Sequence, residues 1–273
     1  MPSYRAHRDI SVLNDYLEVP GLGFLPVNAF VIHATQPVVV DTGLGLSDRD
    51  FLACLAEVID PTDVAWIWLT HPDRDHTGGL FALLEAAPQA RVVTTFVGAG
   101  ITFVGAGIMS AEHPLPMNRI YLLNPGQSLD VGDRRLTGFR PPLFDSPATV
   151  GVLDTSTGVC LSSDCFGAPL PTPGLATAAD AAAVNPDELG AAQLLWATVD
   201  SPWVHAIDPV KLAASFRLLR DFDPSAILSA HLPPVTSDSA TLFATLLDAP
   251  QAGPFSGPDQ AALEAMLRQF QPA

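Results

Sequence analysis

Cysteine is scarce in this sequence: three residues, Cys54, Cys160 and Cys165, occur in a chain of 273. No two of them have the C-x-x-C spacing of a zinc knuckle or of a thioredoxin-like redox site. Three cysteines are also too few for the disulfide framework of a small secreted protein. The sequence therefore argues against these site types and predicts a protein of the reducing cytoplasm.

Basic residues are few as well. Thirteen Lys and Arg stand against 29 Asp and Glu, which gives a formal net charge of −16 at pH 7. Nucleic-acid phosphates are bound by clustered Lys and Arg, so this balance argues against a nucleic-acid partner. It disfavours an anionic membrane surface for the same reason. We interpret the acidity as a contribution to solubility.

Long hydrophobic runs are missing too. No segment reaches the roughly 18 apolar residues that a transmembrane helix needs, and the polar N-terminus lacks a signal-peptide core. Hydrophobic residues make up 48% of the chain and charged residues 15%, which is typical of a folded protein rather than a disordered one. We expect one domain over residues 1–273, in which folding buries roughly three-quarters of the unfolded surface.

Strand-like apolar runs alternate with helical segments along the chain. Predicted strands cover residues 27–33, 37–41, 66–70, 91–95, 120–123, 128–131, 135–139, 149–154, 158–162 and 226–230. Predicted helices cover residues 47–59, 80–86, 186–198, 209–220, 239–247 and 258–270; a Pro-rich loop spans 169–177, and a seven-residue repeat over 95–107 suits a helix. Each half of the chain begins with strands and continues with alternating strands and helices. This order of elements predicts two stacked sheets with helices on the outside.

Four side chains that can bind a metal follow the strand that ends at Thr70. His71, Asp73, Asp75 and His76 lie within six residues, and Gly78-Gly79 comes directly after them. Ligands usually bind beyond the carboxyl ends of strands in α/β sheets. Imidazole nitrogens and carboxylate oxygens are donors that divalent metals use. The segment therefore predicts a metal site, and a solvated polar turn is the weaker interpretation.

The same segment resembles the H-x-H-x-D-H signature of the metallo-β-lactamase superfamily. Three further segments resemble that family in order and spacing, namely Asp41-Thr42-Gly43, Ser162-Ser163-Asp164 and Ser229-Ala230-His231. The resemblance implies an αββα sandwich of two mixed β-sheets with helices on the outer faces. It also implies that Asp164 bridges two metals, that His231 is the last ligand, and that Asp41 supports the ligands from behind.

Two departures make the resemblance more specific. Asp73 replaces the second histidine of the signature, and a carboxylate at that place resembles the flavodiiron and oxygen-binding di-iron branch, which has H-x-E-x-D-H. That branch also has a histidine three residues before an Asp-Ser pair, where this chain has Pro142 before Asp145-Ser146. One ligand is therefore missing, and Asp145, His113 or water is left to replace it.

The resemblance implies a division of the ligands between two metals. One metal takes His71 and Asp73 and shares Asp164, which leaves this set one protein ligand short. The other takes Asp75, His76 and His231 and also shares Asp164. We therefore expect the two positions to differ in affinity, with the first one weak or empty.

Three functions compete at this stage. In the first, one or two iron ions bind or reduce O₂ or NO; since the chain ends near Phe270 without a flavodoxin domain, a separate electron-donor protein is expected. In the second, zinc activates a hydroxide that Asp75 orients toward an ester, thioester or phosphodiester. In the third, the site is degenerate and the fold serves binding alone. We place the iron interpretation slightly ahead; the sequence also leaves a homodimer open.

Overall fold

The computed structural model describes residues 3–46, 50–100, 116–237 and 239–270. Its first sheet has seven strands in chain order: β1 (Ser3–His7), β2 (Ile10–Val19), β3 (Gly23–Ile32), β4 (Val38–Val40), β5 (Trp66–Trp68), β6 (Arg91–Thr94) and β7 (Ile120–Leu122). Strands β1 to β4 pair antiparallel, and β4 to β7 pair parallel. The sheet is therefore mixed.

The second sheet has five strands: β8 (Ser128–Asp130), β9 (Arg135–Phe139), β10 (Gly151–Asp154), β11 (Val159–Leu161) and β12 (Ala226–Leu228). Their order in the sheet is β12-β11-β10-β9-β8. All neighbours pair antiparallel except β11 and β12, which are parallel. The carboxyl ends of β11 and β12 therefore lie at the same edge.

Helices connect and cover the two sheets. They include α1 (Phe51–Ala56), α2 (Arg74–Thr77), α3 (Leu80–Ala86), α4 (Pro173–Ala176), α5 (Pro186–Asp200), α6 (Pro209–Ser215), α7 (Arg217–Phe222), α8 (Ser239–Leu247) and α9 (Gln260–Phe270). The long helix α5 begins where Asn185 accepts hydrogen bonds from two backbone N–H groups and proline occupies the first turn. No helix among the described residues combines the length and apolar character that spanning a membrane requires.

The strands divide their side chains between inner and outer faces because side chains alternate along a strand. Val38 and Val40 of β4 join the core between the sheets, whereas Val39 packs outward against the helices of the first sheet. In β11, Cys160 packs outward in the same way against the second sheet's helices. Two outer cores and one inner core make an αββα sandwich, which confirms the predicted fold class.

The structure differs from the predicted elements in several segments. The strands β1 and β2 and the start of β3 were not predicted, because the buried polar pair Asn14 and Asp15 interrupts the hydrophobic pattern of β2. The segment 209–220 is two helices separated at Phe216. The Pro-rich loop contains the short helix α4. The start of the helix predicted from Ser47 and the second half of the 95–107 repeat lie outside the described residues.

Candidate metal centre

Four strand ends bring the predicted site residues to one edge of the sandwich. Asp41 directly follows β4, and His71 comes three residues after β5 ends. Asp164 and His231 stand in the same relation to the ends of β11 and β12. Asp41, His71, Asp164 and His231 are all buried. Residues from both sheets therefore converge at the place where the sandwich opens.

Two glycine segments fix the backbone around His76. The N–H of Gly78 donates to the carbonyl of Gly43 over 2.8 Å, and the N–H of Thr42 donates to the carbonyl of His76 over 2.8 Å. A Cβ on Gly78 would lie 2.2 Å from the nitrogen of Gly45, so no side chain fits there. This close backbone contact joins the Asp41 turn to helix α2, which carries two of the predicted ligands.

The carboxylate of Asp164 lies between two groups of side chains. One of its oxygens is 3.1 Å from Nε2 of His76 and 3.3 Å from Nε2 of His231. Its other oxygen is 3.4 Å from Nε2 of His71. Asp75 completes the group around the first oxygen, because its carboxylate lies 3.3 Å from Nε2 of His231. This arrangement is the one that a bridging carboxylate requires.

The group around His71 contains two more carboxylates. Asp145 lies 3.6 Å and Asp73 lies 3.9 Å from Nε2 of His71, and ligand atoms of all three lie within 4.8 Å of one another. Asp145 was one of the candidates for the missing ligand; His113, the other, lies outside the described residues. Asp145 also accepts a hydrogen bond of 3.1 Å from Thr149. The loop over residues 140–149 thus brings a carboxylate to the group around His71.

Contacts behind the three histidines fix the orientation of their rings. Nδ1 of His76 donates to Asp41 over 2.9 Å, and Nδ1 of His231 donates to the carbonyl of Pro26 over 2.7 Å. Nδ1 of His71 lies 3.2 Å from the hydroxyl of Ser163. A ring that donates from Nδ1 keeps the lone pair of Nε2 free. His76 and His231 therefore direct Nε2 toward Asp164, and each Nε2 can bind a metal ion once it has lost its proton.

Asp41 is itself held on both of its oxygens. It accepts from the backbone N–H and from the hydroxyl of Thr70, each over 2.8 Å. Its backbone has a φ of +59°, a conformation that non-glycine residues rarely adopt. This local strain is compensated by the hydrogen bonds that Asp41 makes to Thr70 and His76.

The charges of the centre shift the pKa of its members strongly. Burial alone lowers the pKa of His231, but the carboxylates of Asp164 and Asp75 outweigh it and raise this pKa to about 10. The pKa of His76 is raised well above its usual value for the same reasons, with Asp41 contributing. Burial raises the pKa of Asp164, yet the three histidines outweigh burial and hold it well below its usual range. A metal ion therefore competes with protons on His76 and His231, and its affinity rises with pH.

The donors fit a divalent cation. Nε2 of His76 is buried, and its contact with the Asp164 oxygen 3.1 Å away lacks hydrogen-bond geometry, so this nitrogen is placed to bind a cation that Asp164 also binds. Three imidazoles and four carboxylates converge around Asp164, and these are nitrogen and oxygen donors that iron, zinc and manganese accept.

Sequence reasoning missed a half-buried carboxyl group behind the centre. Asp200, at the end of α5, lies close to Asp164 and Asp145. Burial raises its pKa to about 8, and the two neighbouring carboxylates add to the effect. Its position depends on where α5 docks, so the sequence around it carries no signal of this role. Trp196 of the same helix donates to the carbonyl of Asp164 over 3.2 Å.

Comparison with known proteins identifies the class to which this fold and site belong. Residues 22–231 match the family model of the metallo-beta-lactamase superfamily. The chain belongs to the metallo-beta-lactamase superfamily, and its relatives agree with the predicted resemblance to the flavodiiron branch.

Among curated proteins, the chain is 26% identical over 141 residues to the anaerobic nitric oxide reductase flavorubredoxin of Salmonella typhi. That match covers 51% of this chain and 28% of the relative, so the chain spans less than a third of the relative's length. The Klebsiella pneumoniae protein of the same name is 25% identical over the same length.

Among solved structures, the fold resembles the rubredoxin oxygen:oxidoreductase of Desulfovibrio gigas with a TM-score of 0.73 at 18% identity, over 92% of this chain and 61% of that one. The flavodiiron protein of Giardia intestinalis gives a TM-score of 0.70 at 15% identity, over 88% and 56% of the two chains. These likenesses show the fold.

Proposed function

We propose that the centre holds two iron ions and binds or reduces O₂ or NO. His71, Asp73 and Asp145 would hold one ion. Asp75, His76 and His231 would hold the other. Asp164 would bind both. The carboxylate of Asp145 lies 3.6 Å from Nε2 of His71. With Asp145, the ion beside His71 would therefore have four protein ligands, whereas the sequence alone predicted three.

The observation that carries the proposal is the donor set. Four carboxylates and three imidazoles form a harder, more oxygen-rich set than the histidine-rich site typical of zinc hydrolases. The flavorubredoxins that the chain resembles are nitric oxide reductases, and the Desulfovibrio gigas protein is an oxygen oxidoreductase by name. Both observations favour a redox centre over a hydrolytic one.

Bound iron would supply open coordination positions for a diatomic molecule and the electrons that reduce it. The residues of this chain hold and orient the ligands. Asp73 is 58% exposed, Asp75 27% and Asp145 23%, so the centre opens to solvent on its carboxylate side. A separate protein would deliver electrons to the solvent-exposed carboxylate side of the centre.

The test of the proposed function is anaerobic loading with ferrous iron, followed by addition of O₂ or NO. We expect two iron ions per chain, a new near-ultraviolet absorption band on exposure to either gas, and consumption of the gas when a reductant is present. The same preparation loaded with zinc is the control and should consume neither gas. Zinc-dependent turnover of a generic ester, with no reaction of the iron form, would instead favour a hydrolase.

Asp145 provides a test of the ligand that replaces the missing histidine. We expect Asp145→Ala to lose the ion beside His71 and to keep the ion beside His231, because only the first group contains Asp145. Metal content per chain, measured after iron loading and gel filtration, should fall from two ions to one. Asp145→His should retain both, since imidazole is also an iron ligand.

The control for Asp145 is Asp63→Ala, which removes an exposed carboxylate from a short turn remote from the ligand clusters. It should leave the iron content at the wild-type value. Two ions retained in Asp145→Ala would contradict the proposed role of Asp145 and leave water as the fourth ligand.

A further inference from the structure

A pocket of about 250 Å³ opens at the surface between helices α5 and α8. Its walls are mainly apolar and include Val184, Leu189, Val235 and Leu242. The buried amide side chain of Gln193 forms part of its lining. The proposed ligation of metal uses none of these residues.

A second, smaller space of about 10 Å³ lies beside the centre. Asp164, Trp196, Asp200 and Leu246 line it. Gln193 lines this space as well as the pocket, so this one side chain borders both. The surface pocket and the space beside Asp164 therefore meet at Gln193.

Both helices continue from the pocket to the inner space. On α5, Gly190 and Gln193 border the pocket. Gln193, Trp196 and Asp200 border the inner space. Positions three or four residues apart lie on the same face of a helix, so these residues form one continuous line along α5. Ten residues separate Gly190 from Asp200 along the chain, about 15 Å along a helix axis at the usual rise per residue. On α8, Leu242 borders the pocket, and Leu246, one turn later, borders the inner space.

Gly190 keeps the outer end of this path wide. A glycine inside a helix destabilises it by about 0.5–1 kcal/mol relative to alanine. No packing demands glycine here, since a Cβ on Gly190 would meet no atom within 4 Å. The absence of a side chain leaves the wall of the pocket open.

Gln193 is held by one hydrogen bond, in which its amide donates to the carbonyl of Phe166 over 3.2 Å. This is at the long end of the range for N–H···O bonds. Breaking this bond would free the Gln193 side chain, which borders both the pocket and the space beside Asp164, to change rotamer.

We propose that this path is an access passage for small neutral diatomic molecules, which reach the metal centre between α5 and α8. This inference rests on the proposed function, since it names the route by which O₂ or NO arrives. The carboxylate side of the centre faces water and is suited to ions and protons. An apolar pocket, by contrast, favours uncharged, weakly hydrated molecules.

The test fills the pocket from Gly190. Gly190→Phe places an aromatic ring where the wild-type chain has open space, and removing a helix-interior glycine favours folding. Gly174→Phe is the matched control, because Gly174 is also helical, a Cβ on it would also meet no atom within 4 Å, and it does not line the pocket. Stopped-flow mixing measures how fast the reduced, iron-loaded protein reacts with O₂. Oxygen quenching of Trp196 emission, isolated by comparison with Trp196→Phe, measures access without metal.

We expect Gly190→Phe to slow the reaction with O₂ roughly tenfold, which corresponds to a barrier about 1.4 kcal/mol higher. Quenching of Trp196 should decrease in parallel, and Gly174→Phe should match the wild type in both measurements. Unchanged reaction and quenching in Gly190→Phe would overturn the passage and leave the carboxylate side as the route. If quenching of Trp196 decreases in Gly190→Phe but neither the wild type nor any variant reacts with O₂, the proposed function is refuted and the access passage is still supported.

Discussion

Replacing Asp164 with asparagine is expected to abolish metal binding at both positions and to leave the fold intact. The two oxygens of Asp164 face both groups of proposed ligands, with His76 and His231 on one side and His71 on the other. An amide has the shape of the carboxylate but no charge, and its NH₂ group cannot bind a cation. Each position would lose a ligand at the same time.

The size of this effect follows from linkage between metal binding and folding. At a free metal concentration 100 times its dissociation constant, a bound ion stabilises a protein by about 2.7 kcal/mol. Wild-type protein should show this increase in the free energy of unfolding when metal is added, and Asp164→Asn should show none. Denaturant unfolding with and without ferrous iron, together with metal content per chain, measures both quantities.

Asp200→Asn is the matched control for Asp164→Asn, because Asp200 is a neighbouring carboxyl group largely shielded from solvent. In the metal-free protein, burial and the carboxylates of Asp164 and Asp145 raise its pKa to about 8, which favours the protonated form. An amide therefore imitates its neutral form, and metal content should stay at the wild-type value. Equal metal content in Asp164→Asn and wild type would show that Asp164 does not bridge the ions.

Asp41→Asn is expected to weaken metal binding by roughly 10–100-fold, the usual effect of removing a residue that orients a metal-binding histidine. Asp41 accepts the proton of His76 Nδ1 over 2.9 Å, and an amide NH₂ turned to that place would oppose the ring instead. Asparagine tolerates the positive φ of position 41 better than most residues, so the backbone should persist. Competition with a chromophoric chelator measures the affinity.

A second buried aspartate separates the orientation of His76 from general loss of stability. Asp154 is fully buried and accepts a hydrogen bond of 3.2 Å from Arg134, at a position outside the ligand clusters. Asp154→Asn should lower the free energy of unfolding without changing metal affinity. If Asp41→Asn binds metal as tightly as the wild type, the contact between Asp41 and His76 is dispensable for the centre.

The strand endings were the most predictable part of this protein. Dense apolar runs before Asp41, His71 and His231 predicted strands β4, β5 and β12, and the structure confirms all three. Local chemistry sufficed here, because a strand buried on both faces needs an uninterrupted apolar run. The hairpin of β2 and β3 was largely missed, since its buried Asn14 and Asn28 form a 2.6 Å hydrogen bond that only strand pairing provides.

The sequence, through its resemblance to a known family, determined the class of fold and predicted the candidate ligands over residues 71–76 and the two distant candidates Asp164 and His231. Each of these depends on a short pattern of residues next to a strand end. Tertiary structure alone decided that Asp145 lies beside His71, that Asp200 lies behind Asp164, and that the carbonyl of Pro26 orients His231. These contacts join irregular loops or backbone atoms that are far apart in the chain. Loops and backbone atoms leave no periodic or compositional pattern in the sequence from which such contacts could be predicted.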